Sequence, residues 1–104
     1  MPSSWRILIT ATAEEHVHTI QSWWTTERTA APELFLRELG EALERLASFP
    51  FSGAAYDVDQ LPGVRRVILR RSGYHVYYTI NDEAGEILIR AVWHAARGSG
   101  PDLA

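Results

Sequence analysis

The chain has 104 residues, enough for one domain, with a formal net charge of −3 and an ordinary balance of 46% hydrophobic and 22% charged residues. It contains no cysteine, which excludes disulfides, thiolate metal sites and cysteine nucleophiles. No apolar run approaches the roughly 20 residues that span a bilayer, and the opening MPSSWRILIT is too short and too polar for a signal peptide. A cytoplasmic protein without membrane contact is the expectation.

The net charge hides a pattern. All ten basic residues are arginine. Residues 1–50 hold four arginines against seven glutamates, and residues 51–104 hold six against six acids. Residues 64–80 carry four arginines and no acid. The total does not fit a strongly basic nucleic-acid binder, so direct nucleic-acid binding is not expected.

In chain order, Trp5–Ala11 (WRILITA) reads as a strand, being apolar and β-branched. Thr12 and Glu15 have the spacing of a capping box, which opens a helix over about 13–28. Ala13, Val17, Ile20 and Trp24 form its apolar face. Pro32 suits the first turn of a second helix. That helix buries Phe35, Leu39, Ala42, Leu43 and Leu46, exposes Arg37, Glu38, Glu41, Glu44 and Arg45, and pairs Glu41 with Arg45. It ends near Ser48, before Pro50. The short connection predicts an antiparallel helix hairpin.

Residues 51–63 read as a loop with a short edge strand. Three strands follow, 64–71, 74–81 and 86–93, joined by Ser72-Gly73 and by Asp82–Gly85, both of hairpin type. The expected fold is α+β, a single domain over 1–104: an N-terminal strand, a helix hairpin, then a three-stranded antiparallel meander. The tail from about 95 to 104 is expected to be loose.

The chain shows no Gly-x-Ser-x-Gly, no phosphate loop, no pair of carboxylates placed for acid–base work and no metal-ligand spacing. His16 and His18 point to different sides of a helix, and His75 and His94 are isolated in sequence. No cofactor or metal is expected. The meander is more informative. On strand 64–71, Val64, Arg66, Ile68 and Arg70 share one face, while Arg65, Val67, Leu69 and Arg71 share the other. One helix hairpin covers one face of a small sheet. The other face is then a partly apolar groove rimmed by arginine, or a wet surface whose aromatics fill the core. Arginine and tyrosine are enriched in binding hot spots. Of the adjacent Trp23 and Trp24, the second belongs to the apolar stripe, and the first flanks that stripe or meets a partner.

Four stretches resemble the RelE/ParE superfamily of type II toxin–antitoxin toxins. They are the element order; Ala42–Leu46 followed by Pro50 and Gly53; Gly63–Arg66 running into Leu69–Tyr74 and Tyr77-Tyr78; and the closing Val92–Arg97. The resemblance is nearer to ParE. It implies a growth-arresting toxin of a plasmid-stabilisation type that inhibits DNA gyrase without catalysis of its own and is neutralised by a cognate antitoxin with an acidic, partly disordered segment. Arg66, Ile68, Arg70, His75 and Tyr77 are the expected antitoxin-binding residues. Trp23, His94 and Arg97 are the expected gyrase contacts. The alternative is a RelE-like, ribosome-dependent messenger-RNA endoribonuclease using Arg66, His75 and Arg97. Against it, Ile68 and Ala95 stand where that group carries basic residues, and the tail has no tyrosine.

Overall fold

The computed structural model describes residues 4–103. The elements run β1 (Arg6–Ile9), α1 (Ala11–Glu27), α2 (Leu34–Ser48), a 3-10 turn (Pro50–Ser52), β2 (Ala54–Ala55), β3 (Arg65–Leu69), β4 (Tyr74–Asn81) and β5 (Glu86–His94). The class is α+β, with the meander β3–β4–β5 as expected. The five strands form one sheet in the order β1-β5-β4-β3-β2. β1 lies parallel to β5, in register from Arg6 opposite Glu86 to Ile9 opposite Ile89, and the other pairs are antiparallel.

Local boundaries differ from the sequence expectation where tertiary bonds intervene. The cap of α1 is Thr10, not Thr12. Its amide donates to the Ile89 carbonyl at 3.1 Å, ending β1, and its hydroxyl accepts from the Ala13 amide at 3.1 Å. Thr12 therefore lies inside the first turn. Pro32 stands in the turn before α2, its carbonyl accepting from Gln21 Nε2 at 3.0 Å, and the helix starts two residues later. Glu41 and Arg45 form no ion pair; the i,i+4 pair on this helix is Glu33 with Arg37.

Glu38, expected to be solvated, is tied to the sheet. Its carboxylate accepts from the amides of Arg71 (2.7 Å) and Ser72 (2.8 Å) and from the Ser72 hydroxyl (2.6 Å). These bonds hold a four-residue turn, 70–73. The Gly73 amide donates to the Leu69 carbonyl, and Gly73 takes φ +88°, a conformation open to glycine. β3 consequently ends at Leu69. Arg70 and Arg71 leave the strand that was expected to include them.

The helices cover one face of the sheet. Phe35, Leu46, Leu69, Val76, Tyr78, Ile87, Ile89 and Val92 are all at most 1% exposed there, with Ala13 and Trp24 from α1. Tyr78 anchors this core. Its hydroxyl donates to the Pro50 carbonyl (2.8 Å) and accepts from the Gly53 amide (2.9 Å). A Cβ at Gly53 would fall 2.8 Å from Tyr78 Cε1, so the position takes glycine. A bulge at Arg90 shifts the register between Tyr77 and Tyr78. Past it, Ala91 faces the open side while Val92 stays under the helices.

The opposite face, expected to be a partly apolar groove or a wet surface, is partly covered by the chain itself. Val64, Tyr77, Ala91 and Leu103 form a second buried cluster, flanked by Tyr56, Val58, Leu61 and Trp93. The chain end makes part of this cover. Leu103 is 4% exposed, Pro101 is buried, and Trp93 Nε1 donates to the Ser99 carbonyl at 2.7 Å. The expectation of a loose tail fails for these residues, because the apolar centre of the face draws a proline and a leucine onto it.

Candidate functional site

Two surfaces carry chemistry. The first is the open sheet face. Pairing of β3 with β4 sets Arg66 opposite Tyr77 and Ile68 opposite His75. The Arg66 guanidinium lies 5.2 Å over the Tyr56 ring, and Tyr56 meets Tyr77 edge-on at 4.8 Å. Ile68 is 47% exposed. Burial, then Arg66 and His94, keep the His75 imidazole below its ordinary value. Burial raises the Tyr77 hydroxyl against the opposing pull of Arg66. Of the five expected antitoxin contacts, Arg66, Ile68, His75 and Tyr77 are together here. Arg70 is not; it stands in the turn that Glu38 holds.

The second is a cleft of about 650 Å³ between α1 and the ends of β4 and β5. Trp23, Trp24 and Trp93 wall it, with Tyr74, Ile20 and Val92 among its lining. Trp24 Nε1 donates to the Tyr74 hydroxyl at 3.2 Å. Arg28 lies 5.6 and 5.8 Å over the Trp23 and Trp24 rings, and Arg97 lies 4.2 Å over Trp93. His16 accepts the Val92 amide on Nδ1 at 3.2 Å, and its ring packs on Trp93 at 5.5 Å. Burial lowers the His16 pKa, Glu15 opposes that, and Arg97 adds to it. His94 accepts the Ala96 amide on Nδ1 at 3.0 Å.

Trp23 from α1 joins His94 and Arg97, from the end of β5 and the turn after it, in lining this cleft. Of the trio of the ribonuclease alternative, Arg97 is held on Trp93, the cross-strand neighbour of His75. Arg66 and His75 lie on the open face, and Arg97 lines the cleft with His16. Sequence reading missed His16, Arg28, Tyr74 and Trp93 as cleft residues. Trp93 offered a signal, since a tryptophan ending a strand next to a histidine and an arginine is an amphipathic anchor. Among the described residues no three metal-ligating side chains cluster, and no helix is long and apolar enough to cross a membrane.

The fold is shared with solved toxins. The chain is similar to a toxin–antitoxin complex, RelBE2, from Mycobacterium tuberculosis, at 22% identity and TM-score 0.67, covering 93% of this chain and 98% of that one. It is similar to the chromosomal ParDE system of P. aeruginosa at 17% identity and TM-score 0.69, covering 89% and 98%. A free mutant of E. coli RelE aligns at 19% identity and TM-score 0.56, covering 89% and 85%. No curated protein matches the chain. The family model for the ParE toxin of the type II toxin–antitoxin system parDE matches residues 7–98, and the chain belongs to that family.

Proposed function

We propose that this toxin arrests growth by inhibiting DNA gyrase, with no catalysis of its own, and that a cognate antitoxin neutralises it by laying an acidic, partly disordered segment on the open sheet face. The observation that carries this reading is the sparse cation set of the open face. Cleaving a phosphodiester needs charge stabilisation and a proton acceptor converging on one phosphate. Here Arg66 has His75 beside it and the exposed Ile68 as its same-face neighbour, while Arg97 is engaged on the Trp93 ring at 4.2 Å. The exposed Ile68, with Arg66 on the same face, suits an aliphatic anchor flanked by carboxylates.

The test is a supercoiling assay with purified gyrase and the toxin freed of partner. Dose-dependent loss of supercoiling with trapped cleaved DNA is expected. Folded toxin that leaves gyrase untouched but cuts messenger RNA on ribosomes would transfer the function to the endoribonuclease reading, with Arg66 and His75 at its centre.

A further inference from the structure

The cleft beside α1 has features that the fold does not require. Trp23 is 45% exposed although it flanks a buried stripe. Two arginines lie over tryptophan rings at its edges, and the ion pairs found among the described residues, Arg6 with Glu86 and Arg37 with Glu33, involve neither. A guanidinium held over an indole face directs its N–H groups outward in its own plane, where they can meet an anion.

The two cations stand at different levels along α1. Arg97 lies over Trp93, whose ring packs on His16 in the second turn of α1, and Arg28 lies over Trp23 and Trp24 near its end. His16 and Trp24 are about 12 Å apart along the helix axis, at 1.5 Å per residue. An extended peptide covers that distance in about four residues. The cations thus stand near the two ends of a tryptophan-walled trough. His16 and His94 each use Nδ1 as an acceptor of a backbone amide, which leaves Nε2 as the N–H of the neutral ring. With the two guanidiniums they give the lining several donors, beside the carboxylate of Glu15.

We propose that this cleft docks an extended acidic peptide segment of the toxin's protein target, with a large apolar side chain among the tryptophans and carboxylates at Arg28 and Arg97. The inference rests on the reading that the toxin acts by binding a protein. A single-stranded nucleic acid would also meet rings and arginines. The net charge of −3 and Glu15 in the lining oppose a polyanion and admit a peptide with two local charges.

The experiment uses full-length Trp23→Ala, Arg28→Glu and Arg97→Glu toxins, with Arg28→Lys and Arg97→Lys as charge-preserving variants and circular dichroism as the check on folding. Each is scored for growth arrest on induction, for antitoxin affinity and for gyrase inhibition. The expected result is that the alanine and glutamate variants need about tenfold more expression to arrest growth, as for loss of a hot spot, that the lysine variants recover part of the loss, and that antitoxin affinity holds throughout. Growth arrest at the wild-type level overturns the inference. So does a parallel loss of antitoxin affinity, or saturable quenching of tryptophan fluorescence by a single-stranded uridylate 12-mer at physiological salt. If wild-type toxin spares gyrase yet the cleft variants lose growth arrest, the gyrase reading fails and the cleft stands. If wild type and variants inhibit gyrase equally, the reverse holds.

Discussion

Tyr77 and Tyr78 are neighbours on β4, point to opposite faces and are both buried, at 3% and 0% exposure. They reach that state differently. Tyr78 lies under two helices with its hydroxyl saturated by backbone groups. Tyr77 lies under Tyr56 and a leucine near the end of the chain. The first cover is regular structure with its own hydrogen-bond ladder. The second is coil with few backbone bonds, the kind of segment that opens at low free-energy cost. One face is built to stay closed, and the other is closed by something displaceable.

The largest effect expected from this contrast is at Tyr78. Tyr78→Ala removes a fully buried ring and leaves the Pro50 carbonyl and Gly53 amide unpaired, for a loss of about 3–5 kcal/mol in chemical denaturation. Leu103→Ala should cost about 2 kcal/mol or less, since coil can collapse around the space. Equal costs at the two positions would break the contrast.

Glu38→Gln should cost about 1 kcal/mol, because a half-exposed carboxylate holding three donors is partly replaced by water. Burial alone would raise the Glu38 carboxyl, but the Ser72 hydroxyl and the two amides outweigh it and hold it below the usual range. Its contribution is therefore complete above the unfolded value, about 4.3, and is lost as pH falls through the lower folded value. Acid titration of the stability of wild type and Glu38→Gln should show a shallower acid limb in the variant.

The smallest effect is at His16 and His75, both lowered first by burial. Protonation favours the unfolded chain, so stability is full above about pH 6.5 and declines as pH falls toward and through the folded values. Melting midpoints between pH 7.5 and 5 should show this decline, reduced in His75→Ala.

The helix-covered face was legible because helix and strand periodicities mark it. Ala13, Val17, Ile20 and Trp24 recur at helical spacing, and Tyr74, Val76 and Tyr78 alternate. The open face was half legible. The same alternation placed Arg66, Ile68, His75 and Tyr77 together, but the cover by Leu103 has no period to announce it. Arg70 was misplaced because two strand-like arginines are drawn into a turn by Glu38, 33 positions away from Arg71, a bond no local pattern encodes. The cleft was invisible as a cleft, since only the packing of α1 on β5 brings Trp23 to His94 and Arg97.

The parallel pairing of β1 with β5 has a consequence for synthesis. Arg6 meets Glu86 across 80 residues of chain, and the Thr10 cap of α1 is set by the Ile89 carbonyl. The first strand therefore has no partner until residues 86–89 have emerged from the ribosome. Loop closure this long makes it a late event in folding. The cleft between α1 and β5 does not exist on a nascent chain that lacks β5, so the toxin stays unassembled until β5 has been made and released to pair with β1.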